Sequence, residues 1–454
     1  MSENTSTAAT ATEPLHEIYW RETEPVTPGP PLIEDIDCDV CLVGGGYTAL
    51  WTAHFLKLAE PGLDIHIVEA DYAGAGASGH NDGFVTPTIG HNLSTLVRRF
   101  GVDRAKLAYT LVGRSILELA HFCRKYEIDA DFETRGYYQV ATDQAQIALL
   151  RKDLAIAERI GAASGLALLG RDQMRERIGS PAIRAAVKVG GATVNPHRLV
   201  RGLAAVVRGQ GVHIHEQTSA TGVEAHGGGY TISTPRARIT ARKLVLATNA
   251  YQHRFQEFRR AVIPVWSYAA VTEPLSDERL AQLHWPDREG FVEAGNFIVF
   301  ARLTAQHRLL VGGGPVRYAM GRDMSERRHI DNPAATRVLR EVLARYFPCW
   351  HDVPFTHSYG GCVAITREFV PHVGAVGDNL FYGYGYCGNG IAVTHTSGKV
   401  LRDLILGRES SYTGLLFVNR TEQRFPPEPF TFVAAKAMSS LLALQDRYPK
   451  VGKR

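Results

Sequence analysis

The sequence predicts an α/β (α+β) protein in which two sheet domains, one of them mixed, are interwoven along the chain. Three observations carry this. A strand–turn–helix–strand unit stands near the start, strand-like segments recur to the end without repeats or a clear linker, and glycine is over-used, at 44 of 454 residues. Glycine is needed where backbone turns sharply or lets a ligand approach closely, so the positions of these glycines are the main clue. Composition sets the limits. A hydrophobic fraction of 45% supports a large core and excludes wholesale disorder; at about 100–200 residues per domain the length suggests two or three domains. The net charge is only +4, and no basic run interleaved with aromatics points to nucleic acid. The longest apolar stretch, Ala261–Val271, is far short of the roughly 20 residues that cross a bilayer, so no transmembrane segment is expected. Six cysteines do not make a disulfide scaffold. Residues 1–13 lack the charged start and apolar core of a secretory signal, and a cytoplasmic protein is the expectation.

Residues 1–36 read as a tail and lead-in that closes with Pro28-Gly29-Pro30-Pro31. The apolar run 37–43 reads as a buried strand. A Gly-rich turn and a helix over Tyr47–Ala59 follow, broken by Pro61-Gly62. Residues 63–69 alternate and read as a second strand, completing a βαβ unit. Apolar spacing of 3 and 4 predicts helix over 93–127 and 143–160, with a strand at Tyr137–Ala141 between them. Strands are predicted at 211–216, 229–234, 243–248, 261–273, 296–301, 308–314 and 380–384, and helices at 334–347, Ile391–Leu406 and 433–445. The expected division places 37–92, 175–255 and 356–408 in a discontinuous nucleotide-binding domain, 93–174 and 256–355 in a substrate domain, and 409–454 in a C-terminal extension.

Gly44-Gly45-Gly46-Tyr47-Thr48-Ala49 fits G-x-G-x-x-G/A between the first strand and its helix. The first glycine makes the tight turn, Gly46 lets backbone approach a pyrophosphate, and a small third residue lets helix and strand pack closely. The helix N-terminus offers unpaired N–H groups and a positive dipole end. Glu69 ends the second strand, where a carboxylate accepts hydrogen bonds from ribose hydroxyls. FAD and NAD both use such a Rossmann-like unit. A later apolar strand ending in Thr248-Asn249, and a second small-residue loop at 74–83, favour a large FAD fold whose later strands return to the nucleotide domain. Gly383-Tyr-Gly385-Tyr-Cys-Gly388 also matches G-x-G-x-x-G, but the helix after it is followed by no strand ending in an acid. It is read as a helix N-terminus aimed at the flavin N1–C2=O edge, where reduced flavin carries negative charge. With no separate nicotinamide site, the organic substrate itself is expected to reduce the flavin.

These residues resemble the D-amino-acid-oxidase-like, or glycine-oxidase-like and sarcosine-oxidase-like, FAD-dependent amine oxidoreductases, and within them the γ-glutamylputrescine oxidoreductase type. The resemblance spans about residues 15–408. It rests on DVCLVGGGYTALWTA (39–53), VEADYAGAGASGHNDGF (68–84), NPHRLVRGLA (195–204), ARKLVLATNAY (241–251), RLLVGGG (308–314), GGCVAITREFVPHVG (360–374) and NLFYGYGYCGNGIAVTHTSGK (379–399). It implies a Rossmann-like FAD domain with a mixed-sheet substrate domain. Gly44, Gly46 and Ala49, with Tyr47 and Thr48, would meet the pyrophosphate; Glu69 and Ala70 the adenosine ribose; and Val223 the adenine. Gly76, Ala77, Ser78, Asn81 and Gly83 would run along the flavin, and Thr248 and Asn249 lie at the cofactor end of their strand. Gly360, Gly361, Gly388, Asn389, Gly390 and Ile391 would line the isoalloxazine ring. Two departures stand out. Where relatives read A-S-G-R-N-G-G, this chain has His80 in place of a fixed cation and Asp82 in place of a glycine. Where relatives often have S-G-H-G, it has Cys387-Gly388-Asn389-Gly390.

Other constellations carry less. The thiols of Cys38-x-x-Cys41 face opposite sides of a strand, so no metal or redox site is expected there. The 18 histidines show no metal-binding spacing, and no metal is expected. His80 is the histidine with reason to lie near the cofactor, and its charge could change near neutral pH. Some sarcosine-oxidase-like relatives link flavin to a cysteine in the region of Cys362, but the spacing here does not match and FAD is expected to be non-covalent. Arg302 is either a bidentate clamp for a substrate carboxylate or phosphonate or a surface salt bridge. Trp266, Tyr268 and Tyr251 are either an aromatic substrate wall or core. No G-x-S-x-G elbow supports hydrolase chemistry. The resulting expectation is an FAD-dependent oxidoreductase that oxidises a CH–NH bond of a small-molecule amine or amino acid by hydride transfer to flavin N5. The imine then hydrolyses, and O₂ or an electron carrier serves as reoxidant. The alternatives are a D-amino acid, glycine or sarcosine type of oxidation, and a flavin-binding protein without turnover. No catalytic residue is named.

Overall fold

The computed structural model describes residues 14–163 and 165–447. The reading of residues 1–13 as a tail without a signal, and residues 448–454 of the C-terminal extension, lie outside the described residues. The βαβ unit forms as its pattern dictates: strand Ile36–Val43, helix Tyr47–Ala59 and strand Ile65–Val68, the strands parallel with Val40 opposite Ile65 and Val43 opposite Val68. They sit at the centre of an eight-stranded sheet whose main order is His372–Val376, Leu380–Tyr384, Arg238–Leu246, Ile36–Val43, Ile65–Val68, His213–His215. Every residue of Ile65–Val68 is buried, as in a parallel sheet covered on both faces. Helix Tyr47–Ala59 is buried from Tyr47 to Leu56 because the helix Gly390–Ile405, itself almost wholly buried, packs along it. Gly398 permits this approach: a Cβ there would stand 2.7 Å from the Cβ of Trp51 and 2.8 Å from its carbonyl carbon.

The second sheet has nine strands, running Arg317–Tyr318, Val262–Pro274, Arg308–Gly313, Val299–Leu303, Gly290–Glu293, Tyr137–Ala141, Ala185–Val189, Leu168–Gly170, with Phe355–Thr366 also paired to Val262–Pro274. In that last pair Ser267 lies opposite Gly361 and Ala269 opposite Tyr359. Alternation divides the strand Val262–Pro274. Trp266, Tyr268 and Ala270 enter the core with Phe291 and Tyr346, while Ile263 and Val265 belong to a separate cluster near Tyr318 and the C-terminal helix.

Several boundaries differ from expectation. The stretch 93–127 is two helices, Leu93–Phe100 and Val102–Lys125, because Gly101 takes φ 84° between them. The loop 74–83 contains a short helix, Ala77–His80. The strand expected at 296–301 runs Val299–Leu303, and that at 243–248 extends back to Arg238, where Ile239 and Ala241 face inward and Thr240 and Arg242 outward. Sheet membership also crosses the expected divisions. Ala185–Val189 and Phe355–Thr366 pair within the nine-stranded sheet. The helix Val102–Lys125 buries Ala105, Val112, Leu119 and Phe122 in the same core as Trp51 and Leu56. Hydrogen bonding to distant strands decides membership, and segment composition does not report it. Replacing Gly398 by valine is expected to cost about 1–3 kcal/mol by overpacking, read as a lower midpoint in chemical denaturation.

Candidate functional site

A cavity of about 1730 Å³ is lined by residues of both sheets. At one end lies the first glycine turn. Gly44 takes φ 104°, and a Cβ on it would meet the Ala247 carbonyl oxygen at 2.8 Å. A Cβ on Gly46 would come within 2.8 Å of Ser78 Oγ. Gly46 is the N-cap of helix Tyr47–Ala59 and has no side chain to cap it, so the helix opens its first amides toward the cavity. The Tyr47 N–H donates to Ser78 Oγ at 2.9 Å. Glu69, at the end of its strand, accepts from the Gly45 N–H at 2.6 Å and the Asp71 N–H at 3.0 Å. Burial pushes its carboxyl up, partly opposed by these amides.

At the other end a second helix starts. Gly390–Ile405 has Asn389 as N-cap, again without a side-chain capping bond, and Gly388 to Ile391 line the cavity. This loop is pinned from three sides. Tyr386 and Thr48 share a 2.8 Å hydroxyl hydrogen bond that ties it to the first helix. Asn249, at φ 46°, accepts from the Gly385 N–H at 3.0 Å. The Cys387 N–H donates to the Ala364 carbonyl at 3.2 Å. Gly360 and Gly361 line the wall beside it.

The loop 74–83, which also lines the cavity, holds the first departure, His80 and Asp82. His80 is buried and lines the cavity, with its Nε2 3.2 Å from Arg21 Nη2. A guanidinium only donates, so Nε2 accepts and the ring proton sits on Nδ1. Burial first, then the charge of Arg21, pushes the imidazole pKa down to about 3. The expected switch near neutral pH is therefore corrected: His80 is neutral, and the fixed cation at this place comes from Arg21 in the short 3-10 segment Tyr19–Thr23. Asp82 lines the cavity, and burial pushes its carboxyl up to about 7, with Arg302 opposing.

Arg302 does not present itself as a clamp. It is 3% exposed, is not among the cavity-lining residues, and its Nη1 donates to the carbonyls of Val194 (2.9 Å), Gly83 (3.1 Å) and Asp82 (3.3 Å), with the guanidinium over the Trp20 ring. Nor is it a surface salt bridge: it holds the loop from behind. Trp266 borders the cavity, but its ring is 2% exposed within the core, 5.1 Å from the His329 ring. Tyr251 lines the cavity under the Arg254 guanidinium. Of the residues expected at the nucleotide, Ala49 and Gly83 do not line the cavity. Ala49 is fully buried beneath the turn, and Gly83, at φ 74°, has no room for a Cβ against the Val194 carbonyl. The others all do. Sequence reasoning missed Arg21, Phe300 and Tyr359 at the site, and it did not bring there the helix expected at 433–445, which runs Phe430–Arg447 and adds Lys436 and Met438 to the cavity. None sits in a motif; only the buried Tyr19-Trp20 pair beside Arg21 hints at order in the lead-in. The strands also bring Asp64, His66 and His213 together at the sheet edge, their ligand atoms within 4.8 Å, a grouping that sequence spacing hides. Among the described residues no helix is long and apolar enough to cross a membrane.

The turn, the uncapped helix start and the acid after the second strand define a Rossmann-type dinucleotide-binding protein. Comparison with known proteins makes this specific. Residues 39–404 match the family model "FAD dependent oxidoreductase" (DAO), so the chain belongs to the DAO family of FAD-dependent oxidoreductases. It is 29% identical to γ-glutamylputrescine oxidoreductase of Escherichia coli K12, over 96% of this chain and 99% of that protein. It is 26% identical to glycine oxidase of Pseudomonas aeruginosa, over 82% of this chain and 95% of that one. In structure it resembles glycine oxidase from Geobacillus kaustophilus, with a TM-score of 0.72 and 19% identity over 86% of this chain and 100% of that chain.

Two outcomes follow from this geometry. Gly46→Val should weaken FAD binding at least about tenfold, or about 1.4 kcal/mol, read as lost flavin absorbance per protein with unchanged far-UV circular dichroism. Arg302→Met should cost on the order of 3 kcal/mol of stability through lost charge-assisted hydrogen bonds, read by denaturation of the protein; a carboxylate clamp would instead raise KM alone.

Proposed function

We propose that this FAD-dependent oxidoreductase oxidises the CH–NH bond of an amine whose nitrogen-bearing carbon carries no carboxylate. The Gly44–Gly46 turn and the start of helix Tyr47–Ala59 hold the cofactor diphosphate, Glu69 accepts from the adenosine ribose, and Val223 borders the adenine. Gly360, Gly361 and the helix start at Gly388 to Ile391 face the ring. The observation that supports this arrangement is that two uncapped helix N-termini, tied by Thr48 and Tyr386, line one cavity. Both are suited to negative charge, the first to a diphosphate and the second to a reduced ring. Bound FAD supplies the hydride acceptor.

The chain's own residues orient the substrate. Phe84 and Phe300, whose rings meet edge to face at 5.9 Å, present an apolar wall that excludes water. The arginines and lysine that line the cavity, Arg254, Arg317 and Lys436, are all exposed, and the buried Arg302 is turned to backbone. An α-amino acid would need a cation beside the reacting carbon. The lining cations suit instead an anionic group at the far end of the substrate, as in the γ-glutamyl amine that the E. coli relative's name describes. Hydride loss leaves an imine that water hydrolyses to a carbonyl compound and an amine.

Anaerobic mixing of the yellow holoprotein with a panel of amines and amino acids tests this. Bleaching near 450 nm is expected with amines that carry a distant carboxylate, and much more slowly with glycine, sarcosine or D-alanine. Bleaching by the amino acids alone would overturn the substrate class, and no bleaching at all would overturn CH–NH oxidation. Admitting air then reads the reoxidant: fast return of colour marks O₂, slow return an electron carrier.

A further inference from the structure

From the placement of Asp82 on the cavity wall we infer that its carboxylate binds the substrate's ammonium group and takes its proton before oxidation. The inference rests on the amine reading above and adds a residue to it.

The chemistry gives such a group a task. An alkyl ammonium with a pKa near 10, like that of a lysine, is almost wholly protonated at neutral pH. A protonated nitrogen has no lone pair to support departure of hydride from the neighbouring carbon. The proton must therefore leave the nitrogen first, and an acceptor within hydrogen-bond reach lets the abundant ammonium form serve as substrate. The step is balanced as R–NH₃⁺ and an Asp82 carboxylate giving R–NH₂ and the Asp82 carboxylic acid, with no electron moved. The acid then returns its proton to water.

The structure narrows the acceptor to Asp82. His80, next along the loop, is committed to Arg21 and far too weakly basic, with its pKa near 3. Glu69 accepts from the Gly45 and Asp71 amides at the glycine turn, where the proposed function assigns it to the adenosine ribose. Among the described residues none donates a hydrogen bond to the Asp82 side chain except its own backbone amide. The groups that act on it come from two strands. Arg302, on strand Val299–Leu303, donates to the Asp82 carbonyl and stabilises the carboxylate from behind without bonding to it. Tyr359, on strand Phe355–Thr366, is 2% exposed, feels the charge of Asp82, and has a hydroxyl with no partner among the described residues. Behind these, Tyr19 and Glu133 act on Arg302, and Arg21 acts on His80. Asp82 thus has a fixed cation on one side, an unmatched hydroxyl on another and the cavity on the third. That is an incomplete site, and a substrate nitrogen with several N–H donors completes it. The carboxyl's own pKa, raised by burial to about 7, matches a proton acceptor working near neutrality.

The test uses the FAD-loaded protein and a permanent cation that cannot be oxidised by loss of an N–H, butyltrimethylammonium, followed by its perturbation of the flavin spectrum or by calorimetry. Its affinity should rise about tenfold from pH 6 to pH 8 as the carboxyl ionises. In Asp82→Asn it should be weaker at pH 8 and independent of pH, and in Asp82→Glu the pH dependence should return. A flat profile in the wild-type protein overturns the inference, even if Asp82→Asn proves unable to hold FAD. In a second arm, the rate of anaerobic bleaching by an amine should level off above about pH 7 in the wild type. In Asp82→Asn it should follow the amine's own ionisation toward pH 10. The same inflection near 7 in both proteins overturns the proton-transfer role. If no amine bleaches the wild type, the amine reading fails, while the cation-binding arm still decides whether Asp82 holds positive charge.

Discussion

The architecture depends on one close contact: helix Gly390–Ile405 lies against helix Tyr47–Ala59 with Gly398 on the backbone of Trp51. Any side chain at 398 would force the helices apart. Because they are held together, both begin at the same cavity, and Tyr386 can reach Thr48 across the gap. A helix start is a weak anion site alone. Two of them, opening on one space from residues more than 300 positions apart in the chain, are the basis for placing a long, doubly acidic cofactor there.

The rest of the site is arranged around that axis by strand pairing. The long antiparallel pair Val262–Pro274 and Phe355–Thr366 brings Gly360 and Gly361 to the cavity wall, and Tyr359 with them. The loop that carries His80 and Asp82 is held from below by Arg302, whose buried guanidinium satisfies backbone carbonyls that would otherwise be stranded in the interior. Arg302 is therefore structural and absent from the cavity lining, whereas Asp82 is part of it. This distribution, more than any single residue, is what the proposed preference for amines over α-amino acids rests on.

The sequence made the nucleotide half of the molecule legible. The turn at Gly44, the helix Tyr47–Ala59 and the acid Glu69 obey local rules of turn geometry and periodicity, and they appear where those rules put them. Helix Gly390–Ile405 was legible for the same reason, as an apolar run after a glycine loop. What local rules do not encode is which distant strand a segment joins and which way a polar side chain turns. Arg302 alternates to the face that meets Trp20 and the Gly83 carbonyl, and nothing in its own strand says what waits there. Trp266 and Val265 are adjacent in sequence, yet they enter different apolar clusters. Arg21 lies in a lead-in without periodicity, and only the fold brings it to His80.

The central claim is that FAD spans the cavity between the two helix starts. A crystal structure of the FAD-saturated protein measures this directly. The account requires the diphosphate over the Gly44–Gly46 turn and the start of helix Tyr47–Ala59 and the tricyclic ring between Gly360-Gly361 and the loop 388–391, with Asp82 facing the open side of the ring. A flavin bound elsewhere, or a ring turned away from the loop 388–391, would contradict it.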